Sequence, residues 1–279
     1  MSYKTILLHL NHEPRARAVL GVGIDLATRF EAHLIGCHVF PSYRLTPPVP
    51  LPFATELAAQ IKGAIKKEAD GLEGIFDEMT ATQPFVSEWR SITSQHRDPA
   101  ATVLEQAHAA DIVVAAQPDP AWQFSEILDF PERLALGAGR PVLVVPNFGQ
   151  HRGVPKTVMI AWNQRRESAR AVWDALPLLQ CAERVVVMTI MEGSQRSEAK
   201  ALDTDIAAAL ARHGVKVEAA KTWATEYTVG EEIRVRALEQ NADLVVLGCY
   251  GHSRLREYAL GGVTRHMLRE TTTPILFSH

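Results

Sequence analysis

The feature that most constrains this chain is an internal repeat. Lys4-Thr5-Ile6-Leu7-Leu8-His9-Leu10-Asn11, a lysine-led apolar run closing on asparagine, returns as Lys156-Thr157-Val158-Met159-Ile160-Ala161-Trp162-Asn163. A helical pattern follows each, with Ala16-Arg17-Ala18-Val19 in the first and Ala169-Arg170-Ala171-Val172 in the second. The two segments also close alike. Asp111-Ile112-Val113-Val114 answers Asp243-Leu244-Val245-Val246, and Pro141-Val142-Leu143-Val144 answers Pro274-Ile275-Leu276-Phe277. The offset is 152 at the first pair (156 against 4), 132 at the second (243 against 111) and 133 at the third (274 against 141). The first half therefore holds about twenty extra residues between its first and fourth strands. Part of that excess is Pro41 to Pro52, whose five prolines forbid a central strand or helix interior and read as a loop.

Within each half, apolar runs alternate with helical patterns. The first half reads as strands near 4–10, 33–39, 85–91, 111–116 and 141–146, with helices near 14–29, 54–80, 99–109 and 123–138. The second reads as strands near 156–162, 184–191, 215–222, 243–248 and 274–278, with helices near 166–179, 195–213, 229–240 and 262–270. Continuous apolar strands between helices indicate parallel sheets covered on both faces. The expected architecture is α/β: two tandem Rossmann-like, doubly wound domains, each a five-stranded parallel sheet, over 1–147 and 154–279. Pro146 to Pro155, with two glycines, reads as the linker.

Composition narrows the partners. A net charge of −3 gives no global pull toward nucleic acid or an anionic membrane. The three cysteines, Cys37, Cys181 and Cys249, are scattered and form no C-x-x-C, which speaks against a disulfide framework or zinc site. No apolar run nears the eighteen or so residues of a membrane span, and Met1 to Leu10 lacks a secretory apolar core. A soluble cytoplasmic protein is the expectation.

Chemistry concentrates in Gly248-Cys-Tyr-Gly-His-Ser-Arg-Leu-Arg-Glu-Tyr-Ala-Leu-Gly-Gly262, between the fourth strand of the second half and its last helix. In an open α/β sheet, ligands bind beyond the carboxyl ends of the strands, where the loops after strands 1 and 4 meet. Glycines there either serve the bends or let a phosphate approach the main-chain N–H groups and the helix start. The stretch is neither a G-x-G-x-x-G fingerprint nor a P-loop.

The arrangement G-x-x-G, nine residues, G resembles the nucleotide-binding signature of universal stress proteins. The resemblance extends through the closing "PILF" strand and to the opening "KTVMIAWN" and "ESARAVWDALPLL" segments. The chain is thus similar to a tandem universal stress protein. That resemblance implies ATP or another adenine nucleotide, with or without Mg, in the second half. It implies phosphate contacts at Gly248, Gly251, His252, Gly261, Gly262, Val263 and Thr264, an adenosine contact at Asn163, and a base contact near Ile190. It implies a regulatory stress protein with at most slow hydrolysis. By the same analogy the two halves pair through their last strands within one chain, and two such chains could form a homodimer. Two departures stand out: Gly262 replaces the hydroxyl residue after Gly261, and Asn163 replaces an acid.

The first half lacks the glycines. Matching Asp111 to Asp243 sets Ala116 at Gly248 and Asp119 at Gly251. Counting from Pro141 sets Leu128 and Asp129, or Asp129 and Phe130, at the double glycine. The expectation is that Asp119 and a second acid repel a phosphate, so this half binds no nucleotide. Trp122, Phe124 and Phe130 read as core residues in preference to an interaction patch. Cys249 reads as a small buried residue ahead of a redox sensor, Trp162 as either base lining or packing, and Glu231-Glu232 as a helix-start pair. His9, His12 and His108 show no metal-ligand spacing. No nucleophile–base constellation appears. Three functions stay open: a nucleotide-binding stress protein, an interaction module of the same fold without nucleotide, and, last, an adenylyl-transferring enzyme.

Overall fold

The computed structural model describes residues 2–41, 51–94, 98–192, 204–224, 227–249 and 262–279. The first half runs β1 (Thr5–His9), α1 (Glu13–Phe30), β2 (His33–Phe40), α2 (Leu51–Thr80), β3 (Ser87–Thr93), α3 (Pro99–Ala107), β4 (Ile112–Ala116), α4 (Ser125–Leu128), α5 (Pro131–Gly137) and β5 (Val142–Val145). The second runs β6 (Thr157–Trp162), α6 (Arg166–Asp174), α7 (Leu176–Cys181), β7 (Arg184–Glu192), α8 (Thr204–Arg212), β8 (Val217–Ala224), α9 (Val229–Glu239), β9 (Leu244–Gly248), α10 (Gly262–Glu270) and β10 (Ile275–Ser278).

Both halves have the strand order 3-2-1-4-5, all parallel, and they are joined. The sheet has ten strands in the order β3-β2-β1-β4-β5-β10-β9-β6-β7-β8. At its centre β5 and β10 run antiparallel, with Val142 opposite Phe277 and Val144 opposite Ile275. The two expected sheets are thus halves of one. The reason is edge chemistry: a short strand such as Val142-Leu143-Val144-Val145, wholly buried, must pair its free side.

One face of the sheet is covered by α1, α2, α6, α7 and α8, through residues such as Leu20, Phe76, Val172, Leu179 and Leu210. The other is covered by α3, α5, α9 and α10, through Val103, Leu134, Ile233 and Met267. Two expected helices are each split. The one near 123–138 breaks at Asp129-Phe130 before Pro131, and the one near 166–179 breaks at Ala175, with Pro177 in the first turn of α7. Proline lacks the N–H that would continue the ladder and fits a helix start instead.

The linker is fixed rather than loose. Gly153 N–H donates to the Asp25 carboxylate at 3.0 Å, and a Cβ there would stand 2.2 Å from the Val22 carbonyl oxygen. The halves also meet through the Tyr3 hydroxyl, which donates to the Asp174 carbonyl at 2.6 Å.

Candidate functional site

The strand pairings set the two halves in register. Ala116 pairs with Val145 on β5, and Gly248 pairs with Ser278 on β10. The same registers make Asn11 the counterpart of Asn163, Arg15 of Glu167, Gln117 of Cys249 and Asp119 of Gly251.

In the second half β6, β7 and β9 end at one edge, and α10 starts there at Gly262. Gly262 is exposed, and no described atom lies within 4 Å of where its Cβ would stand. Thr264 is buried and Val263 half-buried in the first turn. Asn163 is exposed, and its Oδ1 accepts the Arg165 N–H at 3.1 Å, an Asx turn into α6 beside Gln164 at φ 61°. Ile190 is half-buried at the end of β7. Gly251, His252 and Gly261 lie outside the described residues.

Gly248 has a packing reason for its missing side chain. A Cβ would stand 2.4 Å from the Glu167 carbonyl carbon and the Ser168 nitrogen, because the first turn of α6 presses on the end of β9. Trp162 belongs to the core between sheet and helices. Cys249 is fully buried, its thiol donates to the Ser278 carbonyl at 3.3 Å, and burial pushes its pKa up to about 12, with Glu167 adding to the rise. A thiol held neutral in this way is a poor redox nucleophile. Glu231 closes a capping box with Thr228, as its helix-start position suggests. Glu232 is instead buried against Arg236 at 2.7 Å.

The first half is built on opposite chemistry. The Asp129 carboxylate lies at its strand-end cleft with a side chain only 1% exposed. Arg15 holds it bidentately, Nη2 to Oδ1 at 2.8 Å and Nη1 to Oδ2 at 3.0 Å. Asn11 Nδ2 donates to Oδ1 at 2.7 Å, and the Ser125 hydroxyl and Asp119 N–H donate to Oδ2 at 2.7 and 3.0 Å. Burial opposes ionisation, but Arg15, the Asp119 N–H and Ser125 outweigh it and hold the carboxyl below its usual range. Asp129 is therefore not the bare acid expected to repel a phosphate, because its charge is paired with Arg15. The Asp119 carboxylate also has a local partner, its Oδ1 accepting the Ala121 N–H at 3.0 Å. No arginine–carboxylate pairing across this distance was visible in the sequence, although Arg15 stands at a fixed four-residue step from Asn11.

The aromatic stretch divides. Phe130 is core and stacks on His9. Trp122 is half-buried, stacked on His12 at 4.5 Å with the Arg15 guanidinium 5.0 Å from its ring centre. Phe124 is 37% exposed, contrary to the core position expected of it, because α4 is too short to turn it inward.

One residue ties the cleft to the second half. The buried Gln117 accepts Arg15 Nη1 on its carbonyl at 2.9 Å. Its side-chain amide donates to the Leu268, Arg269 and Thr271 carbonyls at 3.0–3.2 Å, where α10 ends. The Leu268 and Arg269 carbonyls lie in the last turn of α10 and have no acceptor role inside it.

Among the described residues, no group of three or more His, Cys, Asp or Glu is placed to hold a metal ion, and no helix is long and apolar enough to cross a membrane.

A ten-stranded, doubly wound sheet with its cleft at the strand ends defines a Rossmann-type α/β protein. Residues 158–279 match the Universal stress protein family, so the second half is a domain of that family. A universal stress protein from Synechocystis sp. is 41% identical over 70 residues, 24% of this chain and 22% of that protein. The match thus spans about a fifth of that relative's length. A universal stress protein from Archaeoglobus fulgidus superposes with a TM-score of 0.63 at 13% identity, covering 98% of this chain and 95% of that one. The cytoplasmic domain of a prokaryotic cation chloride cotransporter superposes at 0.52 and 13% identity, covering 98% and 94%. Likeness at these identities carries the fold of both halves and nothing of the activity.

Proposed function

We propose that the second half binds an adenine nucleotide, ATP first among them, and that the chain is a cytoplasmic regulatory stress protein with at most slow hydrolysis. The observation that carries this reading is the start of α10 at Gly262, which is exposed and has no described atom within 4 Å of its Cβ position, where the first half has a carboxylate already seated. A helix start at a glycine suits a phosphate, which its first N–H groups and its dipole can hold. Gly251, Gly261, Gly262 and the buried Thr264 would hold the phosphates, with His252 and Val263 beside them. Asn163 and Ile190 would meet the nucleoside. Glu167, standing where the first half has Arg15, brings a negative charge near the end of β9. A phosphate there is better tolerated with Mg than without it.

Calorimetric titration with ATP, ADP and AMP tests the reading. Gly262→Asp copies Asp129 and is expected to weaken ATP binding by about tenfold or more, the equivalent of roughly 1.4 kcal/mol. No heat with any of the three by the unaltered protein leaves the second reading, an interaction module without nucleotide. That alternative draws on Phe124, 37% exposed, and Phe148, 84% exposed, which a nucleotide would not use.

A further inference from the structure

The first half lacks the glycines, yet its cleft is a finished anion site. Five hydrogen bonds converge on one carboxylate from four separate places: the end of β1, the first turn of α1, the loop after β4, and α4. Two of the donors are side chains that are themselves more than nine-tenths buried, Asn11 and Arg15. One is the main-chain N–H of Asp119, the counterpart of Gly251. The carboxylate comes from Asp129, at the counterpart of the double glycine. An ordinary ion pair needs one partner. A set of donors this complete, with a bidentate guanidinium and a main-chain N–H, is what a phosphate or carboxylate ligand would need.

We propose that Asn11, Arg15, Ser125 and the Asp119 N–H form an oxyanion site that the chain occupies with its own Asp129 carboxylate. Asp129 is then a built-in ligand, and the first half holds the ligand-filled arrangement permanently. Supporting this, Arg15 also binds the Gln117 carbonyl, so the occupied site fixes the residue that steadies the end of α10. Arg15 Nε, buried and without a hydrogen-bond partner among the described residues, leaves capacity on the same cation. The inference rests on the first half alone and stands whether or not the second half binds nucleotide.

Removing the built-in ligand should open the site to an external one. The experiment compares unaltered protein, Asp129→Ala, and the double variant Arg15→Met with Asp129→Ala. Each is melted in inorganic phosphate and in chloride of equal ionic strength. Phosphate stabilises folded proteins generally, so the excess over the unaltered protein is the readout. With a dissociation constant on the order of 1 mM, 20 mM phosphate shifts the folding equilibrium of Asp129→Ala by about twentyfold. The unaltered protein and the double variant should show no such saturable excess. Equal phosphate responses in all three overturn the proposal. If Asp129→Ala does not fold in chloride, it and the double variant are refolded from urea in both salts. Recovery in phosphate of Asp129→Ala but not of the double variant supports the proposal, and recovery of both or of neither overturns it.

Discussion

The two halves of this sheet answer one problem in opposite ways. In the first half the loops after the first and fourth strands meet above the strand ends. In the first half a buried arginine and a buried aspartate fill that space with a closed ion pair. In the second, the same helix position carries Glu167 and the same loop position carries glycine. The fold is kept while the side chains at the matched positions change in sign and size.

The sharpest way to break that comparison is Arg15→Met. It leaves Asp129 buried and unpaired, and should cost about 3–5 kcal/mol in urea denaturation. Glu167→Met at the matched position, where the side chain is 13% exposed and its ion pair with the exposed Arg166 spans 3.5 Å, should cost only about 1 kcal/mol. Similar losses at both positions would show that the halves are not built differently.

Acid comes next. His9 is buried against Phe130, whereas its counterpart is Ala161. Burial lowers its pKa to about 3, with His38 and Arg15 adding to the drop and Asp129 opposing it. The unfolded chain binds this proton below about pH 6.5 and the folded chain does not, so stability falls with acid in that window. The slope is about 1.4 kcal/mol per pH unit from this group alone. His9→Leu should flatten it, which suits a ring whose Nε2 has no partner among the described residues. An unchanged slope would place the acid sensitivity elsewhere.

Gly248→Ala should cost about 1–3 kcal/mol, because the added carbon meets the α6 backbone rather than a movable side chain. Ala116→Gly, the reciprocal change, should cost about 0.5–1 kcal/mol. If both are silent, the helix of the second half does not press closer to its strand than that of the first.

The last contrast lies at the join. Gln117→Ala removes the amide that caps α10 from the other half and should cost about 1 kcal/mol. Hydrogen exchange in the last turn of α10 should quicken while that of α9 does not. Equal protection before and after would mean that β5 and β10 alone set how the halves sit.

Much of the fold was legible because periodicity survives in the sequence. The lysine-led strands, the paired Asp111 and Asp243 openings, and the proline-led last strands located nearly all elements within a few residues. Asp111 and Asp243 even share a task. Each carboxylate accepts two main-chain N–H groups at the start of its first strand, Lys4 and Thr5 or Lys156 and Thr157. Helix breaks were harder, since Pro131 and Pro177 can sit inside a helical pattern or begin a new helix. The cleft of the first half was half legible. Alignment of the repeats put Asp119 and Asp129 at the glycine positions, but sign alone suggested repulsion. The cation that turns Asp129 into a stable buried anion, Arg15, is 114 residues away in the chain.

By itself the sequence determined two α/β halves and the order of their elements along the chain, because hydrophobic period and turn residues are local properties. The tertiary structure decided the register that joins β5 to β10 in one ten-stranded sheet, that Gly248 yields to a helix, and that Asp129 is a held anion. Each of these depends on distances between residues far apart in the chain, and composition and spacing do not record such distances.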